Sequence, residues 1–92
     1  MPMDRFQEMT VYCAVVEEHG FASAARRLGL SAPAVTRAVA ALEERIGARL
    51  LIRGARSIRL TESGQQFHED CRRILAELEL ADELAPGGRS PP

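Results

Sequence analysis

Residues 24–47 read AARRLGLSAPAVTRAVAALEERIG, and this stretch admits few backbone paths. Ser23 is placed to cap a short helix running through Leu28, and Gly29 follows where a left-handed stop residue belongs. Only one residue, Leu30, separates that glycine from Ser31, the next capping residue. Pro33 then sits in a first helical turn, where its missing N–H costs nothing. Val35, Val39, Leu42 and Ile46 recur at spacings of four, three and four, and Gly47 ends the run. Two helices must therefore meet across a very tight turn, with Leu28 and Leu30 tucked between them. Ala25 is the small residue that lets them touch.

The flanks extend this core. Asp4, with Gln7 three residues on, forms a capping-box pattern before Phe6, Met9, Cys13 and Val16, a stripe that Gly20 ends. After Gly47, alternation in residues 50–53 and 58–60 predicts two short strands around the turn Gly54-Ala55-Arg56-Ser57. Thr61 caps a last helix. Its apolar seam runs through Phe67, Cys71, Ile74, Leu78, Ala81 and Ala85 and is widened by Leu75 and Leu84. A helix of residues 62–85 is too long for so small a body to cover. The seam is therefore expected to meet a second copy, the competing arrangement being a helix folded back on its own core. Residues 86–92 are Pro- and Gly-rich and read as a flexible tail.

The formal net charge of −1 conceals a strong asymmetry. Residues 1–21 carry −3, residues 22–60 carry +6, and residues 61–92 carry −4. A basic middle segment is the footprint of a nucleic-acid binder, and all of its cations are arginine, the side chain suited to bidentate contacts with phosphate or guanine. With Val35 at zero on a helical wheel, Arg37 falls at about 200° and faces away from the apolar stripe. Its neighbours three and four residues away are Pro33, Ala34, Ala40 and Ala41, so no acid on its own helix competes for it. A small-sided helix face carrying one free arginine suits the DNA major groove.

Residues 21–40 resemble the helix-turn-helix motif at Ala25, Gly29 and Val35, with Leu28 and Leu30 completing its small core. More widely, residues 4–64 resemble the DNA-binding domain of the LysR-type transcriptional regulators. The carrying stretches are AARRLGLSAPAVTRAVAALEERIGARLLIR and RLTESG, with Arg53, Arg56, Leu60, Thr61 and Gly64 in order. The similarity continues to about Ala85. It implies a mainly α fold: a winged helix-turn-helix of three helices and a two-stranded wing over residues 1–61, then a long linker helix over 62–85. The linker helices pair antiparallel in that family, and a ligand-sensing domain of two α/β lobes normally follows. A small-molecule effector is expected only where such a domain is present.

The resemblance implies sequence-specific double-stranded DNA binding as a homodimer, regulating transcription. The helix at about 32–46 would enter the major groove and the wing at about 49–60 would lie on backbone or minor groove. The DNA-contact candidates are Ser31, Ala32, Pro33, Thr36 and Arg37 on that helix, with Ser23 and Arg26 from the helix before it. Arg27 is a further phosphate candidate. Arg56 lies at the wing tip, and Arg53 either contacts phosphate or braces the wing. The dimer candidates are Phe67, Cys71, Ile74, Leu75, Leu78 and Ala81. Glu43 and Glu44 are expected to pair with nearby arginines or to lie away from DNA. Ala22, Ala32, Gly54 and Ser57 depart from the family, which often has Ser or Thr, Gln, Thr or Ser, and Arg there. A second reading is a dimerisation module that pairs with a full-length regulator and inhibits it.

Other classes fare poorly. No Ser/His/Asp or Cys/His set stands at a usable spacing and there is no phosphate loop, so no enzyme and no cofactor is expected. Cys13 and Cys71 are far apart in sequence and read as reduced core or interface thiols. His19 and His68 have no metal-like partners at ligand spacing and read as ordinary surface or packing residues. No apolar run approaches the roughly 20 residues of a membrane span, and no signal peptide pattern opens the chain. A cytoplasmic location is expected.

Overall fold

In a computed structural model that describes residues 3–88, the chain forms four helices and one hairpin. The order is α1 (Arg5–Glu18), α2 (Phe21–Leu28), α3 (Ala32–Ile46), β1 (Leu51–Arg53), β2 (Ile58–Leu60) and α4 (Glu62–Leu84). The strands pair antiparallel with Leu51 opposite Leu60 and Arg53 opposite Ile58. Residues 89–92 of the expected tail lie outside the described residues.

Helix starts follow the local chemistry. Asp4 accepts the Gln7 N–H at 2.8 Å while the Gln7 side chain accepts the Asp4 N–H at 2.9 Å, closing the capping box. Ser31 caps α3 by accepting the Ala34 N–H at 3.2 Å. The expected Ser23 cap is not formed, because α2 begins earlier, with Gly20 as its flanking residue, and Ser23 lies inside the helix. The end of α1 also differs. His19, and not Gly20, takes the left-handed conformation, at φ 58°, while Gly20 is extended. The Gly20 N–H still donates to the Val15 carbonyl, so the wrap-around stop forms one residue earlier.

Helix α1 runs through the centre and packs on α2, α3 and α4. It therefore buries Met9, Val11, Tyr12, Cys13, Ala14 and Val15, well beyond one stripe. Phe6, expected on that stripe, is 43% exposed. Val35, Ala38, Val39 and Leu42 face the core from α3, as the spacing predicts, but Ile46 sits past the edge of α1 and is exposed. Leu30 is likewise exposed and does not tuck between the helices.

The tightest junction joins four elements. The Tyr12 hydroxyl donates to the Gly64 carbonyl at 2.8 Å in a buried setting, and burial pushes its phenol pKa up. A Cβ on Gly64 would strike the Leu50 carbonyl and come within 2.9 Å of the Tyr12 hydroxyl oxygen. Thr61 accepts the Gly64 N–H at 2.9 Å and donates to the Arg49 carbonyl at 2.6 Å. Glu43 of α3 accepts the Leu50 and Leu51 N–H groups at 2.7 and 3.1 Å.

Helix α4 divides in two. Phe67, Cys71 and Leu75 pack inward against Met9 and Cys13 of α1. Beyond them Ile74, Leu78, Leu80 and Leu84 are exposed, Leu84 by 74%. Cys71 is therefore not available to a partner subunit: it is 0% exposed within its own chain, and Phe67 and Leu75 are largely spent on the same core. The folded-back arrangement thus holds for Phe67, Cys71 and Leu75, while the other apolar side chains of the helix stay exposed.

Replacing Gly64 by Ala should destabilise the fold by about 1–3 kcal/mol or more, because the clash is with backbone. Tyr12→Phe should cost about 1–3 kcal/mol by orphaning the Gly64 carbonyl. Gly54→Ala, whose Cβ would meet only Ser57 at 3.4 Å, should stay within about 0.5 kcal/mol. Urea denaturation of the three variants checks the ranking.

Candidate nucleic-acid interface

Helix α3 presents two unlike faces. The inner one holds Val35, Ala38, Val39 and Leu42. The outer one shows Ala32, Pro33, Arg37, Ala40 and Ala41 to solvent, with Thr36 half-buried at its flank. Apart from Arg37, no outer side chain among these extends far from the backbone. Among the described residues Arg37 makes no hydrogen bond or ion pair, so its guanidinium fork is free.

Several acids are engaged elsewhere, while Glu44 stays exposed on α3. Glu8 takes Arg45 at 2.6 Å, and Glu17 and Glu18 take Arg27 at 2.9 and 3.4 Å. Arg27 is thus tied to α1, which corrects its expected place among phosphate contacts. Glu43 pairs with backbone N–H groups of the wing and not with an arginine. Arg26 donates to Ser23 Oγ at 3.1 Å, so those two candidates form one exposed pair on α2.

The wing stands beside the start of α2. Gly54 N–H donates to the Ser57 carbonyl at 2.7 Å and closes the turn that carries Arg56, which is exposed and unpaired among the described residues. The Arg53 guanidinium lies 4.1 Å from the centre of the Phe21 ring. This stacking braces the wing against α2 and leaves the edge N–H groups of Arg53 open. An open groove of about 290 Å³ runs between residues 20–23 and the wing at 53–58. No side chain caps the first turn of α2, so its N–H groups are left to solvent or an anion.

Phe21 and Glu43 are the residues that linear reading missed. Phe21 acts on Arg53 across 32 residues and Glu43 reaches residues 50–51 around the end of its helix, and no spacing rule links those pairs. The dimer candidates Ile74, Leu78 and Ala81 stay exposed on α4, away from the α3 face.

Residues 6–65 match the family model described as "Bacterial regulatory helix-turn-helix protein, lysR family". The chain belongs to the LysR family. An HTH-type transcriptional regulator of Xanthomonas campestris pv. campestris is 50% identical over 72 residues, covering 78% of this chain and 21% of that protein. The HTH-type transcriptional activator AaeR of Escherichia coli K12 is 40% identical over 81 residues, covering 88% of this chain and 26% of the activator. The chain thus spans about a quarter or less of these LysR-family relatives. The CbnR DNA-binding domain in its DNA complex superposes with a TM-score of 0.83 at 41% identity, covering 88% of this chain and 92% of that one. The BenM DNA-binding domain on catB site 1 DNA gives 0.81 at 32% identity, covering 86% and 87%. The mainly helical winged helix-turn-helix with a long final helix is therefore the LysR-family fold.

If stacking on Phe21 holds the wing, Phe21→Leu keeps the apolar bulk and removes the ring. Amide exchange at Gly54 should then quicken about two- to fivefold, the equivalent of about 0.5–1 kcal/mol. Unchanged protection would assign the wing's order to its strands alone.

Proposed function

We propose that this chain is the double-stranded DNA-binding part of a transcription regulator and acts as a homodimer. One observation carries the reading: Arg37 projects from the small-residue outer face of α3 and makes no hydrogen bond or ion pair among the described residues. In this reading α3 enters the major groove. Arg37 reads a base edge, Thr36 adds a hydroxyl or methyl contact, and Ala32 and Pro33 allow close approach. The first turn of α3 at Ser31, the Ser23–Arg26 pair and Arg53 meet phosphates, and Arg56 reaches backbone or minor groove. The DNA complexes of the CbnR and BenM domains support this reading.

Residues 1–61 act as the DNA-binding unit, and residues 62–85 extend from it to a second copy. Ile74, Leu78 and Ala81 form the partner surface, since they remain exposed after Phe67, Cys71 and Leu75 have been used internally. The chain is not an enzyme and works in the cytoplasm in this proposal. No helix among the described residues is long and apolar enough to cross a membrane. A small-molecule effector enters only through a sensor domain elsewhere in the whole protein.

Binding titrations over single-base operator variants at fixed salt test the assignment. Arg37→Ala should cost about 1–3 kcal/mol per half-site and relax preference at one position. Arg37→Lys should keep much of the salt-dependent affinity and lose discrimination, because an ammonium lacks the planar fork. Arg56→Ala should instead weaken all sequences alike and reduce the salt slope by about one contact per subunit. Parallel losses for every variant would remove the base-reading role of Arg37. In light scattering, Leu78→Glu should give a monomer; a persistent dimer would place the partner surface elsewhere.

A further inference from the structure

Three side chains that the DNA-binding proposal does not use meet where α1 crosses the start of α4. Cys13 and Glu17 lie one turn apart on α1, and His68 faces them from α4. The Cys13 sulfur, a Glu17 carboxylate oxygen and a His68 ring nitrogen all fall within 4.8 Å of one another. His68 Nε2 is buried with no hydrogen-bond partner among the described residues, and it stands 3.6 Å from Glu17 Oε2. Buried polar atoms are rarely left this way, and an imidazole nitrogen, a thiol and a carboxylate are donor types that metal ions take. His68 packs against the Tyr12 ring, and helix crossing brings it beside residues that are 51 and 55 apart from it in sequence.

We propose that Cys13, Glu17 and His68 form a binding site for a thiophilic divalent cation, zinc foremost. One sulfur, one imidazole nitrogen and one carboxylate oxygen are the donor types zinc takes, and a three-ligand site keeps a fourth position open. Tetrahedral bonds of about 2.0–2.3 Å space ligand atoms about 3.5 Å apart, so modest side-chain rotation closes the cluster on an ion. The surrounding contacts fit. Arg27 holds Glu17 Oε1 at 2.9 Å and orients Oε2 toward His68. Arg72 is only loosely placed, its Nε 3.9 Å from that Oε2, and is 67% exposed, so an ion displaces it into solvent. Cys71 lies in the same buried cluster as Cys13 and shields its sulfur from the far side of the site. An open groove of about 230 Å³, lined by Cys13, Glu17, Arg72, Leu75 and others, gives the ion a way in and the open position access to solvent. A bound ion pins α1 to α4 and so fixes the direction in which the long helix leaves the body.

Cobalt(II) titration of the chelator-treated protein tests the site. The expected result is one cobalt per chain with a thiolate-to-cobalt charge-transfer band that zinc abolishes, and a Tm higher by several degrees with either metal. Cys13→Ser should lose the band, and His68→Gln and Glu17→Gln should each weaken binding at least ~10-fold. Cys71→Ser should keep the band. His68 is partly exposed, so His68→Gln remains decisive even if Cys13→Ser fails to fold, which circular dichroism reports. The proposal is overturned by absence of the band, by equal affinity in His68→Gln, or by a band that needs Cys71 and not Cys13.

Discussion

The buried hydrogen bond from Tyr12 to the Gly64 carbonyl sits where α1, α3, β1 and α4 converge. Its geometry requires the first turn of α4 to lie directly on the Leu50 carbonyl, which only a glycine at position 64 permits. Thr61 binds both that turn and the chain entering β1, and Glu43 anchors the same entry from α3. The wing, the long helix and the helix proposed to meet DNA are thus tied to one point on α1. Moving any one of them strains hydrogen bonds held by the other two. Removing a single partner leaves a buried polar group unpaired, which costs more than the bond itself contributes.

This rigidity suits a surface with few long side chains. With Ala, Pro and Thr around Arg37 on the outer face of α3, and Glu44 two turns further on, the position of the helix decides what Arg37 can reach. The arginines fall into two sets. Arg27 and Arg45 are held by Glu17, Glu18 and Glu8 and stitch helices together. Arg37 and Arg56 project outward without such partners among the described residues. A chain of net charge −1 therefore presents a basic surface locally, since Glu8, Glu17, Glu18 and Glu43 are held in contacts between elements and most other acids lie toward the two ends.

Much of this was legible in the residues. The caps at Asp4, Ser31 and Thr61, the stop glycines 29 and 47, and the buried spacing of Val35, Val39 and Leu42 are local signals, and local signals decide helix limits. The outward placement of Arg37 follows from the same periodicity. What failed depended on neighbours. Phe6 and Ile46 have apolar helical spacing, and Leu30 an apolar turn position, but all three stay exposed. Cys71 fits a heptad, yet α1 covers it before any partner could. Ser23 caps nothing because α2 starts early. The Phe21–Arg53 stack, the Glu43 anchor and the Cys13–Glu17–His68 cluster join residues with no regular spacing, so only the folded chain brings them together.

Selection of bound sequences from a random duplex library tests the central claim most directly. If two copies joined through α4 each place α3 in a major groove, the selected duplexes must share two related half-sites. Their centres should be separated by about 10–10.5 base pairs or a multiple of it. Recovery of such paired sites by the intact chain is the predicted result. A pool with no enriched sequence, bound only through salt-sensitive general affinity, would contradict the account.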